Sequence, residues 1–146
     1  MQEITRILVP VDGSEHSAKA VRLAAELAEV MGATIDLLYV SFFDIGTDDA
    51  VTEEVSWLPD SVTGSSTREV VNVLEDARAL LPQNLDVQLH QVSGKPAQKI
   101  LEFSEQHGNE MIVIGGRGLG LVEGFLLGSV SQEIIETAKG TVLIVK

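Results

Sequence analysis

The chain has 146 residues, a formal net charge of −12, no cysteine and 45% apolar residues. This length suits one domain with a core of two or three layers, so we expect residues 1–146 to form a single domain. The lack of cysteine excludes disulfides, thiol catalysis and cysteine metal sites. The negative charge disfavours nucleic acid and anionic membranes as partners, because both would repel the chain.

The sequence predicts neither a membrane span nor a signal peptide. No apolar run reaches the roughly 18 residues that a transmembrane helix requires. The N-terminus, Met1–Arg6, lacks the basic and then apolar order of a signal peptide. We therefore predict a cytoplasmic protein.

Strand-like and helix-like segments alternate along the chain, which predicts βαβ crossovers and a mostly parallel sheet. The predicted strands are Ile4–Val11, Thr34–Val40, Leu85–Val92, Met111–Ile114 and Thr141–Val145. The predicted helices run from the Ser14 cap to Gly32, over Thr67–Leu81, from Pro96 to Gly108 and over Ser129–Lys139. The apolar face predicted for the first helix comprises Ala20, Leu23, Ala24, Leu27 and Met31.

The short, continuously apolar strands are typical of a sheet covered on both faces. We predict a three-layer, doubly wound α/β fold of the Rossmann-like or flavodoxin-like kind, with five parallel strands in the order 3-2-1-4-5 and four helices. Ligands of such sheets bind beyond the carboxyl ends of the strands, where the strand order reverses. The loops after strands one and four, Asp12–Ser14 and Gly115–Gly118, are therefore expected at one site.

The connection Ser41–Ser66 is unusually long, first acidic and then rich in serine, threonine and glycine. Connections of this length are usually functional or mobile. We favour a mobile, solvated insert at residues 41–66. The alternative is a surface that recognises a protein partner, with Trp57 and Leu58 as apolar anchors.

The glycines after the fourth strand predict a phosphate cradle, because bare backbone approaches ligands closely and a helix start offers unpaired N–H groups to anions. The pattern is neither a Walker A motif nor the dinucleotide fingerprint. The N–H groups of residues 116–119 and 129–131 would hold phosphates, and the hydroxyls of Ser129 and Ser131 would also donate. Arg117 either adds a cation or is simply solvated.

Asp12, at the end of the first strand, has several open roles. A carboxylate there resembles the phospho-acceptor of response regulators, but those proteins place further acids beside it, and Glu3 lies too early to serve. Asp12 could instead hold Mg²⁺, hydrogen-bond a ribose hydroxyl or cap the following helix. We favour ligand contact, because the residue lies where the strand order is predicted to reverse.

The glycine pattern resembles the ATP-binding motif of the universal stress protein family, Gly-x2-Gly-x9-Gly-Ser/Thr. The matching residues are Gly115, Gly118, Gly128 and Ser129. The resemblance extends over the whole chain, at residues 7–14, 94–97, 126–131 and 141–145. It implies an ATP-binding, stress-response or regulatory module whose loop order depends on the nucleotide.

The resemblance also implies a set of binding positions. Pro10 and Asp12 would lie by the adenine and ribose, and Val40 would pack against or hydrogen-bond the base. Ile114 and Gly115 would flank the nucleoside. The residues around the phosphates would be Gly116, Arg117, Gly118, Leu119, Gly128, Ser129, Val130 and Ser131.

The family commonly forms homodimers through the last strand, so a dimer joined at residues 141–145 is expected, and an unidentified protein partner remains open. One alternative is a slow ATPase or phosphate-transfer enzyme, although no general base or P-loop lysine stands out. Another is a nucleotide-free interaction domain. The histidines share no ligand spacing, and His16 is expected to be exposed. The choice among ATP, AMP and cyclic AMP stays open.

Overall fold

The computed structural model describes residues 3–41, 71–117 and 127–146. In chain order the elements are β1 (Arg6–Pro10), α1 (Glu15–Met31), β2 (Thr34–Ser41), α2 (residues 71–79), β3 (Val87–Ser93), α3 (Pro96–His107), β4 (Met111–Gly115), α4 (Ser129–Thr137) and β5 (Thr141–Val145). Their ends agree with the predicted ends to within about two residues. Residues 67–70, where the second helix was expected to begin, lie outside the described residues, as does the predicted insert beyond Ser41.

The five strands form one parallel sheet in the order β3-β2-β1-β4-β5, which confirms the predicted doubly wound α/β fold. The central strand β1 pairs with β2 from Arg6↔Thr34 onward and with β4 from Ile7↔Met111 onward. The helices after β1 and β4 pack on opposite faces of the sheet. The carboxyl ends of β1 and β4 therefore lie beside the crevice that forms where the strand order reverses.

The ends of α1 have the predicted caps. The Ser14 Oγ accepts a hydrogen bond from the Ser17 N–H at 3.1 Å. At the other end Gly32 adopts φ 69°, a left-handed conformation that glycine reaches without steric strain.

The face of α1 that packs on the sheet consists of small residues, with Ala20, Ala24 and Ala28 completely buried. Leu23 and Leu27 are only half-buried, and Met31 is exposed. The predicted helical face was therefore wrong in part. The alanines allow the helix axis to approach the sheet, and the longer side chains flank this contact line.

The opposite face of the sheet is covered by α3 and α4. Its buried core comprises Leu8, Leu38, Ala97, Ile100, Phe103, Ile112, Ile114 and Ile134. The edge strand β3 is less well covered, and Leu89 within it is 44% exposed. The central strand β1 is buried on both faces as expected, whereas the edge strand β3 is not.

Asp36 of β2 is a completely buried carboxylate. It accepts hydrogen bonds from Arg6 Nη2 at 2.6 Å, Asn109 Nδ2 at 2.8 Å and His90 Nε2 at 2.9 Å. Burial raises the pKa of Asp36, but these hydrogen bonds and the Arg6 charge outweigh it, so the pKa lies below its usual value of 3.8. The ionised carboxylate therefore joins β1, β2, β3 and the entry of β4.

Glu110 forms a second connection between strands, at their amino-terminal ends. Its carboxylate accepts a hydrogen bond from the Arg6 N–H at 2.9 Å and from the Thr5 hydroxyl at 2.8 Å. Its backbone carbonyl accepts the Thr141 N–H at 3.1 Å. One residue thus fixes the relative positions of β1, β4 and β5.

We expect Asp36→Asn to destabilise the protein by about 3 kcal/mol at pH 7, because it leaves the Arg6 guanidinium without its buried counter-charge. The stabilisation from a carboxylate with a lowered pKa is complete above the unfolded pKa and is lost as the pH falls through the folded pKa. The difference between wild type and variant should therefore shrink as the pH falls from 7 to 3.

Urea unfolding at both pH values measures this difference. Asp86→Asn is the control, because Asp86 is exposed and its carboxylate accepts a hydrogen bond only from the Thr34 hydroxyl among the contacts described. A difference for Asp36→Asn that is independent of pH would contradict the proposed role of the charge.

Candidate functional site

The turn after β1 is held by its own polar groups. The Asp12 Oδ1 accepts the Ser14 N–H at 2.8 Å, and the buried Ser17 hydroxyl donates to the Ser14 carbonyl at 3.0 Å. Gly13 adopts φ 83°, which favours glycine at the tip of the turn. The Asp12 carboxylate therefore helps to shape the start of α1, and its contact with a ligand stays a prediction.

Gly115 ends β4 at the place where this strand meets the first turn of α1. A Cβ at Gly115 would lie 2.8 Å from the His16 carbonyl carbon and 2.9 Å from the His16 Cβ. Its φ is not among the positive values, so space and not conformation requires glycine here. The missing side chain lets α1 pack directly against β4, which brings the two loops of the crevice together.

Gly116 is enclosed by β5 and α4. Its N–H donates to the Val145 carbonyl at 2.8 Å, and its carbonyl accepts the Gly128 N–H at 2.7 Å. A Cβ there would lie 3.2 Å from Ile144 Cγ2 and 3.3 Å from Leu127 Cδ2. The expectation that the Gly116 N–H binds phosphate does not fit this structure, because that group already pairs with β5.

Ser131 is buried, and its hydroxyl donates to the Gly115 carbonyl at 2.8 Å. The sequence interpretation assigns this hydroxyl as a donor to phosphate. In the structure its hydrogen instead connects the first turn of α4 to the end of β4.

The start of α4 presents backbone donors that no described residue pairs with. Gly128 is the N-cap, and the helical hydrogen bonds begin with the Gln132 N–H, which donates to the Gly128 carbonyl at 3.0 Å. No described residue accepts a hydrogen bond from the N–H groups of Ser129, Val130 or Ser131. Ser129 is exposed. This helix end can therefore receive an anion, which the positive end of the helix dipole would also attract.

The remaining predicted site residues lie around the same edge of the sheet. Pro10 and Ile114 are buried at the ends of β1 and β4, whereas Val40 is half-buried near the end of β2. Arg117 follows β4 and is also half-buried. Gly118 and Leu119 lie outside the described residues. The ends of β1, β2 and β4 thus lie at the same edge of the parallel sheet.

His16 is a residue of this region that the sequence interpretation placed wrongly. It is half-buried, and its Nδ1 is buried without a hydrogen-bond partner in the part of the chain that the structure describes. Its position two residues after the Ser14 cap turns it toward β4. Gly115, which has no side chain, is the sequence signal for a close contact at the end of β4. The sequence does not show that His16 makes this contact.

The described ranges contain neither a group of three metal ligands nor a membrane-spanning helix. Within residues 3–41, 71–117 and 127–146, no three His, Cys, Asp or Glu side chains are grouped so that they could hold a metal ion. Over the same ranges, none of the helices is long and apolar enough to cross a membrane. Coordination of Mg²⁺ by Asp12 stays a prediction.

Comparison with known proteins gives one consistent family. A sequence profile of the universal stress protein family matches residues 3–146. Universal stress protein YxiE of Bacillus subtilis is 30% identical over 146 residues, which cover 97% of this chain and 98% of the relative. Universal stress protein UspA from Lactobacillus plantarum has a TM-score of 0.76 at 22% identity, covering 100% of both chains. A universal stress protein in complex with cAMP has a TM-score of 0.72 at 25% identity, covering 99% of both chains.

We expect Ser131→Ala to lower the free energy of unfolding by about 1 to 3 kcal/mol, because it removes the partner of the buried Gly115 carbonyl. Ser129→Ala, at an exposed position two residues earlier, should change it by less than about 0.5 kcal/mol. Chemical denaturation without nucleotide measures both variants. Equal effects would show that the hydroxyl of Ser131 has no special structural role.

Proposed function

We propose that this chain, which belongs to the universal stress protein family, is a regulatory module that binds ATP at the carboxyl edge of its sheet. The observation that carries the proposal is the set of three backbone N–H groups without a described acceptor at the start of α4, Ser129–Ser131. These donors suit phosphate oxygens, since they combine directed hydrogen bonds with the positive end of a helix dipole.

The proposed arrangement places the phosphates at residues 129–131 and the adenosine between the ends of β1, β2 and β4. Pro10 and Val40 would contact the base, and Asp12 would accept a hydrogen bond from a ribose hydroxyl. Arg117, directly after β4, would add a positive charge beside the phosphates. Ile114 and Gly115 would flank the nucleoside, and the resemblance to the family adds Gly118 and Leu119 beside the phosphates.

The rigidity of the cradle supports binding. Ser131 fixes α4 to Gly115, and the Gly128 N–H fixes it to Gly116, so the three donors are held in place before a ligand arrives. Such preorganisation reduces the entropy that binding would otherwise cost. The net charge of −12 does not oppose this, because a small anion responds mainly to the donors next to it.

An adenine nucleotide is the ligand class that we favour, and the relative bound to cAMP supports this choice. We select ATP because the glycine pattern has the spacing of an ATP-binding motif. Mg²⁺ would bind at Asp12 if ATP binds as its magnesium complex. Titration calorimetry with ATP, AMP and cAMP tests the choice. Tighter binding of cAMP than of ATP would overturn the choice of ATP, and no binding of any of the three would overturn the proposal.

We also propose that two copies pair along β5. Thr141 and Val145 make hydrogen bonds toward β4, and the alternation of a strand therefore directs the N–H groups of Val142 and Ile144 to the other side. Among the described residues, β5 pairs with β4 alone. A second β5 would satisfy this edge and cover half-buried apolar side chains.

We expect Ser129→Asp to weaken ATP binding about tenfold or more relative to Ser129→Asn, because the two side chains have similar size but only aspartate repels phosphate. Asparagine and aspartate are both tolerated at helix starts, so the fold should survive in both variants. Calorimetry measures the ATP dissociation constants.

Adenosine is the ligand control, since it lacks phosphates and should bind both variants equally. Equal ATP affinities for the two variants would contradict the placement of phosphates at α4. A parallel loss of adenosine binding would show that the substitution disturbs the site as a whole.

We expect Val142→Pro to convert the dimer to a monomer, because proline removes an N–H group that points to the open edge of β5. Val142→Ala is the matched control, since it shortens the same side chain but keeps the N–H group. Sedimentation velocity reports the oligomeric state. A dimer that persists in Val142→Pro would place the interface elsewhere.

A further inference from the structure

We infer that His90 and His107 together bind a divalent transition-metal ion such as Zn²⁺, where β3 meets the C-terminal end of α3. Neither residue belongs to the proposed nucleotide site. Metal binding here would therefore be an additional property of the chain, independent of whether it binds ATP.

The two imidazole rings lie close together although they belong to different elements, His90 to β3 and His107 to the end of α3. Their ring centroids are 5.4 Å apart. Two imidazole nitrogens at about 2.0 Å from one tetrahedral ion would place the ring centroids roughly 5 Å apart. The observed spacing is therefore close to that of two histidines that share an ion.

The hydrogen-bond partner of His90 determines which of its nitrogens is available. Its Nε2 lies 2.9 Å from Asp36 Oδ1. Because the pKa of Asp36 lies below its usual value, this carboxylate is ionised at neutral pH and can only accept a hydrogen bond. Nε2 of the neutral imidazole therefore carries the ring hydrogen, and Nδ1 keeps the lone pair that a metal ion requires.

The partner of His107 has the same effect on the opposite nitrogen. The Nδ1 atom lies 3.1 Å from the carbonyl oxygen of Phe103, one turn earlier in α3. A carbonyl cannot donate, so Nδ1 carries the hydrogen and Nε2 keeps its lone pair. The buried Phe103 ring stacks on the His107 imidazole at 3.7 Å between centroids and also contacts His90, so it limits the movement of both rings.

Both histidines thus have the outer contacts that metal ligands usually have. Metal-binding histidines commonly donate their other N–H group to a carboxylate or a backbone carbonyl, and this contact orients the ring. Within the described part of the chain, neither His90 Nδ1 nor His107 Nε2 has a hydrogen-bond partner. One lone pair on each ring therefore stays free for an ion.

Asp36 would orient His90 without touching the ion. It is completely buried, and its two oxygens already accept hydrogen bonds from Arg6, Asn109 and His90. This agrees with the finding that residues 3–41, 71–117 and 127–146 contain no group of three side chains able to hold a metal ion. The two imidazoles would be the protein ligands, and water would complete the coordination.

The chemistry of the two ligands selects the class of ion. Imidazole nitrogen suits Zn²⁺, Cu²⁺ and Ni²⁺, whereas Mg²⁺ and Ca²⁺ prefer oxygen ligands. An ion can reach the site from solution, because His107 is exposed and 22% of the His90 side chain is exposed. The nearby Arg6 charge is paired with Asp36, and the net charge of −12 attracts cations to the protein.

Nuclear magnetic resonance of the metal-free full chain tests the premise about the lone pairs. Long-range ¹H–¹⁵N spectra at mildly alkaline pH should show the hydrogen of His90 on Nε2 and that of His107 on Nδ1. The opposite assignment for either ring would overturn the proposal, because that ring would then present an N–H group to the ion.

Titration calorimetry with Zn²⁺ alone, in buffer without nucleotide or chelator, tests binding. We expect one ion per chain in the wild type. His90→Gln and His107→Gln should each weaken binding about 100-fold or more, the upper end of what loss of an outer contact costs a metal site. Glutamine can still donate to Asp36, and His107 is exposed, so both variants should fold, which circular dichroism checks.

Two control variants separate this site from binding by histidines in general. The chain has three histidines, so His16→Gln leaves as many as the two test variants do and should retain full Zn²⁺ affinity. The double variant Gln106→His with His107→Gln keeps all three histidines but moves one to the neighbouring exposed position, and it should bind as weakly as His107→Gln alone.

Each result bears on the metal site alone. A wild-type chain that binds no Zn²⁺, or equal loss of affinity in all three single variants, would overturn the proposal. Recovery of affinity in the double variant would also overturn it, because any nearby pair of histidines would then suffice. ATP titrations of His90→Gln and His107→Gln should match the wild type, so the failure of one proposal leaves the other in place.

Discussion

The hydrogen bonds at the exit of β4 determine the shape of the candidate site. Two successive residues, Gly115 and Gly116, hydrogen-bond to α4 and β5, and both of their carbonyls and one N–H group find partners there. Those partners belong to α4 and β5, so the helix start cannot move independently of the sheet. The donors of α4 can face a ligand because the groups immediately before them are already satisfied.

The fold followed from local patterns in the sequence. Apolar runs marked the strands, Ser14, Gly32, Pro96 and Gly108 marked helix ends, and alternation of strands with helices implied the parallel, doubly wound sheet. Such signals depend on neighbours only a few residues apart. The prediction therefore succeeded for element identity and topology, and it failed for the buried face of α1, where contact with the sheet selects alanines over leucines.

The sequence predicted the position of the candidate loops, but it did not predict the contacts that those loops make within the protein. The predicted strand order placed the loops after β1 and β4 at one edge of the sheet, as the topology has them. The glycine pattern assigned phosphate roles to the Gly116 N–H and the Ser131 hydroxyl, which the protein uses internally. These contacts join residues 16 to 29 positions apart, and no periodicity encodes them. The Asp36 cluster is a further example, because Arg6, His90 and Asn109 come from distant parts of the chain.

Glycine at these positions can serve the packing of the protein or the approach of a ligand, and the difference matters when relatives are compared. The backbone of His16 leaves no room for a side chain at Gly115, and β5 leaves little room for one at Gly116. Neither restriction involves a ligand. A relative that binds no nucleotide would still be selected to keep both glycines, as long as it keeps this packing. Conservation at these two positions would therefore report on architecture. Evidence of ligand selection must be sought at positions that the fold itself leaves unconstrained, such as the exposed Ser129.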